Sequence, residues 1–441
     1  MIITQYLCKI TPMKHPKDIP NMVFADSEGN ILDFPELKMA GRVGQFFHPI
    51  EPKDLIPLPK GSELFVLPNR LPIGWDPVHD EMIALCENPF NPKESIQAVA
   101  AFIAPAHTQT AIAAFLKKDE EAPALPLFCY TAVGWWQGKF WVAAFRSDPD
   151  PRQDADRFDM YKVKKKTLEI SKKFNKNRLI RHLVTCSLHY GCPAARNFFL
   201  GRWEAPVPTS PVCNARCIGC ISNQPKELSV GTQNRINFVP SVEEIVELCT
   251  MHLRHAPAPI VSFGQGCEGE PLLQVNTIEE AIKKIRKDTL RGTINLNSNA
   301  SLPNNVERLA VSGLDSIRIS LNSCREKYYM AYYRPKGYRF SNVLESAKVM
   351  KKYSRFVSIN LFITPGLTDE LDEIDELSRI IEEYKIDLIQ LRNHNIDPDM
   401  YFSAINFKPS GQHVGIKNMI KILKKRHPFL RFGYFNPCLN P

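Results

Sequence analysis

The chain has 441 residues, 44% of them hydrophobic and 23% charged, with a net charge of +9. That is room for two or three domains around a large core, and it excludes a low-complexity or disordered chain. The charge is concentrated: Lys162 to Arg181 holds nine Lys/Arg against one Glu, and Lys417 to Arg431 holds six with no acid, so the remainder is mildly acidic.

The start, Met1-Ile-Ile-Thr-Gln-Tyr6, lacks the basic and then apolar pattern of a secretory signal. The most apolar stretch, Ile96 to Leu116, is interrupted by Pro105-Ala-His-Thr-Gln-Thr110. No run reaches the roughly 20 residues of a membrane span. With twelve cysteines and no signal, the expectation is a cytoplasmic protein with reduced thiols.

Residues 1–150 read as a β-rich N-terminal domain of unknown role. Many of the 35 prolines fall here and favour short strands and loops. Met22 to Phe34 reads as two strands about Glu28-Gly-Asn30. Leu127 to Trp136 and Lys139 to Phe145 read as a hairpin about Gln137-Gly138. Its three tryptophans are read as packing groups, and no catalytic motif is visible. Residues 151–205 form a connector, with a basic helix expected from Met160 to about Val184. Its charges are either a solvated face, with Ile170 and Phe174 docking beneath, or a nucleic-acid contact.

Residues 206–395 alternate strands and helices. Strands are expected at Pro206–Val212, Pro259–Phe263, Gly292–Asn297, Ser316–Leu321, Phe356–Ile363 and Ile386–Leu391. Capping signals at Ser241-Val-Glu-Glu244 and Thr277-Ile-Glu-Glu280 open two of the intervening helices. Six such units with short connections predict an α/β fold, a partial (β/α)6 TIM-type barrel. The tail, 396–441, reads as a C-terminal extension with a basic helix near Gly415 to Arg426. The barrel brings the loops at the C-terminal ends of its strands to one face.

The loop after the first strand reads Cys213-Asn-Ala-Arg-Cys217-Ile-Gly-Cys220. Three thiolates leave one corner of a metal site open, where a closed zinc site or a four-cysteine cluster would have four ligands. After the second strand comes Gly264-Gln-Gly-Cys-Glu-Gly-Glu-Pro-Leu-Leu273. A glycine there allows close backbone approach, an acid offsets a cation, and a proline fixes the loop. Asn297-Ser-Asn299 follows the third strand. Arg318 and Ser320 share one face of the fourth.

The C-x3-C-x2-C spacing at the head of a β/α barrel resembles the signature of the radical S-adenosylmethionine (radical SAM) superfamily. The resemblance covers about residues 205–395. It implies that Cys213, Cys217 and Cys220 hold three irons of a [4Fe–4S] cluster, whose fourth iron binds SAM. It implies reductive cleavage of SAM to methionine and a 5′-deoxyadenosyl radical, with a flavodoxin- or ferredoxin-like electron donor. Glu268, Gly269, Glu270 and Pro271 take the place of the family's Gly-Gly-Glu-Pro segment at the SAM ammonium. Asn297, Arg318 and Ser320 stand where further SAM contacts are often made.

There are departures. The residue before the third cysteine is usually aromatic in the family and here is Gly219, so Ile218 or a distant residue must supply that contact. Cys267 interrupts the second motif, and Cys324 follows the fourth strand; both are candidate catalytic thiols or buried ones. Two enzyme readings stand: a protein- or peptide-directed activase or maturase, with the β-rich domain as partner module, and an RNA-modifying enzyme using the basic segments. A methyl-transferring version of the latter needs a further cysteine, for which Cys324 and Cys438 are candidates. The alternative to enzymes is a non-catalytic iron–sulfur or zinc protein, the zinc completed by Cys186, Cys192 or His189.

Overall fold

The computed structural model describes residues 19–224, 231–410 and 412–441. Thirteen strands between residues 21 and 146 pair antiparallel into one sheet. Asn21–Ala25 and Ile31–Val43 form its first hairpin, with Phe24 opposite Leu32. Val133–Trp136 and Lys139–Arg146 form another. Gln137 (φ 50°) and Gly138 (φ 75°) both take the left-handed conformation that a two-residue hairpin turn demands. This strand begins at Val133 and not at Leu127: the Pro126 carbonyl accepts from Phe128 N and the Tyr130 hydroxyl, a local turn that displaces the ladder. The Trp135 ring packs on Phe140 and Trp136 on Trp141.

The connector is three helices where one long basic helix was expected. α1 (Met160–Lys173) is capped by Asp159 and stops at Phe174. The polar break Asn175-Lys-Asn177 then supplies the cap of α2 (Arg178–Leu188), Asn177 accepting from Ile180 N at 2.9 Å. The same Asn177 amide donates to Glu244 O and Glu247, which ties the break to the barrel. α3 (Pro193–Phe199) starts on a proline, where the missing N–H costs nothing. Ile170 and Phe174 pack on the main core beneath α1, while its lysines face solvent.

The second sheet is parallel throughout and has seven strands in sequence order: β1 (Glu204–Val207), β2 (Ile260–Phe263), β3 (Thr293–Ser298), β4 (Ser316–Leu321), β5 (Phe356–Ile363), β6 (Leu388–Asn393) and β7 (Arg431–Gly433). Six strands were expected. The seventh comes from the C-terminal extension, Gly433 lying opposite Gln390. Three residues in register are too few to read as a strand from sequence. β1 is also shorter than expected, because the chain leaves the sheet at Pro208 to form the next loop.

Between the strands run α4 (Val242–His255), α5 (Val275–Asp288), α6 (Pro303–Ser312), α7 (Glu326–Tyr333), α8 (Phe340–Lys352) and α9 (Leu371–Tyr384). α10 (Pro398–Ala404) and α11 (Ile416–Arg426) follow β6. α4 opens with the expected box: Ser241 Oγ accepts from Glu244 N, and Glu244 accepts from Ser241 N at 2.7 Å. α5 does not open at Thr277. A single 3-10 turn, Pro271–Gln274, feeds it directly and is itself capped by Glu270. α6 ends where Gly313 turns left-handed at φ 114°. α7 was not anticipated.

The β-rich domain packs on the loops after β5 and β6, on the face where β-strand C-termini emerge. Gly44 N donates to Pro365 O, and a Cβ on Gly366 would meet Gly44 N at 2.2 Å. Arg70 pairs with Asp397 at 3.0 Å, with both side chains excluded from solvent. Gln109 N and Asn393 Oδ1 are 2.9 Å apart. No helix among the described residues is long and apolar enough to cross a membrane.

Candidate functional site

The cysteine loop leaves β1 and turns over the strand C-termini. Two backbone bonds seat it on the end of α7: Arg216 N to Tyr333 O (3.0 Å) and Ile218 N to Tyr332 O (3.1 Å). Asn214 fixes its start, donating to Ser301 Oγ and accepting from Asn299 Nδ2, both at 2.8 Å. Ile218 is turned into the core. A Cβ on Gly219 would lie 2.8 Å from both Tyr332 OH and Ile396 Cδ1. Gly219 thus leaves room for the Tyr332 ring beside the third cysteine.

Cys213, Cys217 and Cys220 are free and half-buried. Burial pushes the Cys217 thiol well above its ordinary value, and the neighbouring Cys220 and Cys213 push it further. Burial, then Glu270, raises Cys213 to about 11. The strongest positive neighbour is Arg235, whose guanidinium lies 3.4 Å from Cys220 Sγ and 3.2 Å from Ser222 Oγ. Arg235 carried no sequence signal; it lies well outside the motif.

Gly264 to Pro271 folds beneath this loop. A Cβ on Gly264 would stand 1.6 Å from Asn297 O, and one on Gly269 would stand 2.0 Å from Val212 O. Both positions admit glycine alone, and the second lets the loops pair. Gly269 N donates to Ser210 O, and Glu270 N donates to Val212 O at 2.8 Å. This pairing carries Glu270 to the cysteines.

The two glutamates of the motif have different surroundings. Glu268 turns back into the protein, where its carboxylate accepts from Thr209 N, Thr209 Oγ1, Ser210 N and Gln265 N. Three of those donors meet Oε2 and one meets Oε1, so Glu268 is engaged in holding the two loops together. Glu270 accepts from Ser298 Oγ (2.6 Å), Leu272 N and Asn299 N. Burial nonetheless pushes its carboxyl up to about 7. A nearby cation would reverse that cost.

Of the outer candidates, Asn297 is buried and accepts from Asn295 Nδ2 at 2.8 Å. Arg318 points into the barrel, its Nε buried without a partner. Burial lowers its guanidinium, opposed mainly by Glu204. Ser320 stands two residues on along the same face. Cys324 is sealed in the main core, and burial holds its thiol well above the ordinary value. Cys438 Sγ lies 3.6 Å from Pro259 O, at the strand ends opposite the cysteine loop. Neither geometry suits a methyl-carrying thiol of this site. Cys267 gathers with Cys186 and His182.

The donor set fits an iron–sulfur cluster. It is all sulfur, which suits such clusters. The described residues hold one Cys/His/acid triple with ligand atoms within 4.8 Å of one another, and that triple is not this one. The looser spacing of Cys213, Cys217 and Cys220 suits a polyatomic cluster better than a single zinc ion, whose four bonds of about 2.0–2.3 Å draw ligands tightly together.

A family model described as the radical SAM superfamily matches residues 207–378. Two uncharacterised proteins of Methanocaldococcus jannaschii are similar. One is 34% identical over 119 residues, covering 26% of this chain and 39% of that protein. The other is 25% identical over 189 residues, covering 42% and 41%. The chain thus spans about two fifths of the curated relatives it matches. Among solved structures, methylornithine synthase is similar at TM-score 0.38 and 14% identity, covering 55% of this chain and 68% of that one. Streptococcus suis SuiB bound to precursor peptide SuiA is similar at 0.36 and 16%, covering 57% and 52%. A radical SAM methyltransferase from Sphaerobacter thermophilus is similar at 0.38 and 14%, covering 53% and 66%.

Proposed function

We propose that this chain, whose residues 207–378 match the radical SAM superfamily model, is a radical SAM enzyme that acts on a peptide or protein. The observation that carries the enzyme reading is the delivery of Glu270 to the neighbourhood of Cys213, through the Gly269–Ser210 and Glu270–Val212 backbone bonds. A [4Fe–4S] cluster held by the cysteine triplet, once reduced by an external electron donor, would supply the electron for reductive cleavage of bound SAM.

The chain's own residues have separable tasks. Cys213, Cys217 and Cys220 would hold three irons. Glu270, oriented by Ser298 and Asn299, would balance the SAM ammonium, and in doing so would be held ionised. Tyr332 and Ile218 close the rear of the loop against water. Arg318, unpaired at Nε, offers a cation inside the barrel to the SAM carboxylate or to a substrate anion. The protein positions and shields, and the difficult chemistry belongs to the cofactor.

The protein or peptide reading rests on the β-rich domain. It borders the strand C-terminal face through Arg70–Asp397 and Gly44–Pro365, where a partner it held would meet the radical. The two basic segments lie on the outer helical layer instead: α1 against α2 and α3, α11 against α9. Part of the α11 charge is already matched, Lys417 by Asp54 and Arg426 by Asp375.

Anaerobic reconstitution tests the enzyme. A brown protein near four irons per chain that forms 5′-deoxyadenosine from SAM and dithionite is expected, and a colourless zinc protein without SAM cleavage overturns it. RNA retention at low salt that falls steeply with added salt would move the substrate to RNA.

A further inference from the structure

A second group of metal-ligand side chains lies outside the cysteine triplet. His182 and Cys186 sit four residues apart on one face of α2, and Cys267 reaches them from the loop after β2. Their ligand atoms all lie within 4.8 Å of one another. Cys186 and Cys267 are buried, and His182 is half-buried. A helix places residues i and i+4 side by side, so the spacing is the one by which a helix offers two ligands to one ion.

Three further observations belong to this group. His182 Nε2 is buried and has no hydrogen-bond partner, a cost that a ligand would remove. Cys192 packs in the same small cluster with Cys186, Ala195 and Cys267, and its N–H donates to the Cys186 carbonyl at 2.9 Å. Cys192 lies outside the triple gathered within 4.8 Å but packs beside it, and a shift of its side chain toward the triple would complete the Cys3His set of a closed tetrahedral site. The close gathering suits one ion, in contrast with the triplet.

We propose that His182, Cys186, Cys192 and Cys267 bind a single tetrahedral transition-metal ion, zinc or iron(II), as a structural site. The three thiols lose their protons to solvent on binding and no electron is transferred. The ion would join the connector to the Gly264–Pro271 loop, one residue before Glu268 and three before Glu270. It would thereby fix the loop that holds the SAM-side carboxylate, without touching SAM or substrate.

The test uses the full chain with Cys213→Ala, Cys217→Ala and Cys220→Ala, so that no cluster confuses the metal count. Purified with zinc and desalted, this variant should retain one zinc per chain. Cobalt(II) in its place should give the intense visible bands of tetrahedral thiolate coordination. Zinc should protect Cys186, Cys192 and Cys267 from alkylation, read by peptide mass spectrometry, while Cys86, which is exposed, reacts freely. Adding Cys186→Ala and Cys267→Ala should lower bound zinc at least tenfold. A Cys249→Ala change, at a core thiol away from the group, should leave it unchanged. No retained zinc, octahedral cobalt spectra, or equal alkylation with and without zinc each overturns the site. The alkylation and cobalt readings need no second variant, so a misfolded one cannot mask the result. A failure of SAM cleavage in the natural chain leaves this metal count unaffected.

Discussion

The two thiol groups of this chain are built differently. Cys213, Cys217 and Cys220 ride on a loop whose shape is set from outside, by α7, Asn214 and the Gly269 segment. His182 and Cys186 ride on a regular helix that sets their spacing by itself. The loop holds its sulfurs apart, and the helix gathers its ligands within 4.8 Å. The lesson is that cysteine count says little about metal type, whereas ligand spacing and the rigidity of the ligand-bearing element say much.

The largest break in this comparison is Cys217→Ala. Removing one of three loop ligands should drop reconstituted iron from about four per chain to below one, with no 5′-deoxyadenosine formed. Little core volume is lost, so the circular dichroism spectrum should be unchanged. Zinc at the helical group should also be unchanged, which makes the two groups independent. Full iron retention would remove the triplet from the cluster assignment.

Glu270→Gln comes next and reads the electrostatics of the loop side. In the cluster-free chain burial raises this carboxyl from its ordinary 4.5 to about 7. Below pH 4.5 it is neutral folded and unfolded alike. Between pH 4.5 and 7 the unfolded chain releases the proton first, so stability falls as pH rises through that window. The fall is on the order of 3 kcal/mol. Denaturant midpoints measured at pH 4.5, 6 and 7.5 should show that slope in the natural chain and a flatter one in Glu270→Gln. In the reconstituted protein the same variant should keep its iron and bind SAM at least tenfold more weakly. Unchanged SAM affinity would place the ammonium elsewhere.

Gly269→Ala has a smaller expected effect. Its Cβ would fall 2.0 Å from Val212 O, and backbone cannot yield as a side-chain tip does. Separating the paired loops should cost about 1–3 kcal/mol by analogy with overpacked cores. SAM affinity should fall more than iron content, because Glu270 lies on the displaced segment while Arg216 and Ile218 still tie the cysteine loop to α7. A variant with natural stability and natural SAM affinity would show that the pairing is not needed.

The barrel and its motif loops were legible because their signals are local. A parallel strand buried on both faces reads as a run of Ile, Val and Leu, as in Phe356 to Ile363. Glycine-demanding contacts such as Gly269 against Val212 leave a motif behind. β7 was not legible, since Arg431–Gly433 is a strand only because β6 lies beside it. Nor was the division between the two glutamates: Glu268 and Glu270 look equivalent until Thr209, Ser210 and Gln265 are seen to occupy one of them. The helical group was hidden because Cys267 lies 81 positions after Cys186 in the chain, and their meeting is purely tertiary.

The mildest probe acts where the cysteine loop rests on α7. In Gly219→Ala the new methyl would meet Tyr332 OH and Ile396 Cδ1, each at 2.8 Å. Both are side-chain ends that can shift by a few tenths of an ångström, so the cost should be near 1 kcal/mol. Tyr332→Phe removes one of the two atoms. If the loop is seated by that contact, the double variant should be less destabilised than the sum of the singles, by about 0.5 kcal/mol or more in a double-mutant cycle. Strict additivity in thermal midpoints would mean that the loop is held by its backbone bonds to Tyr332 and Tyr333 and not by this side-chain contact.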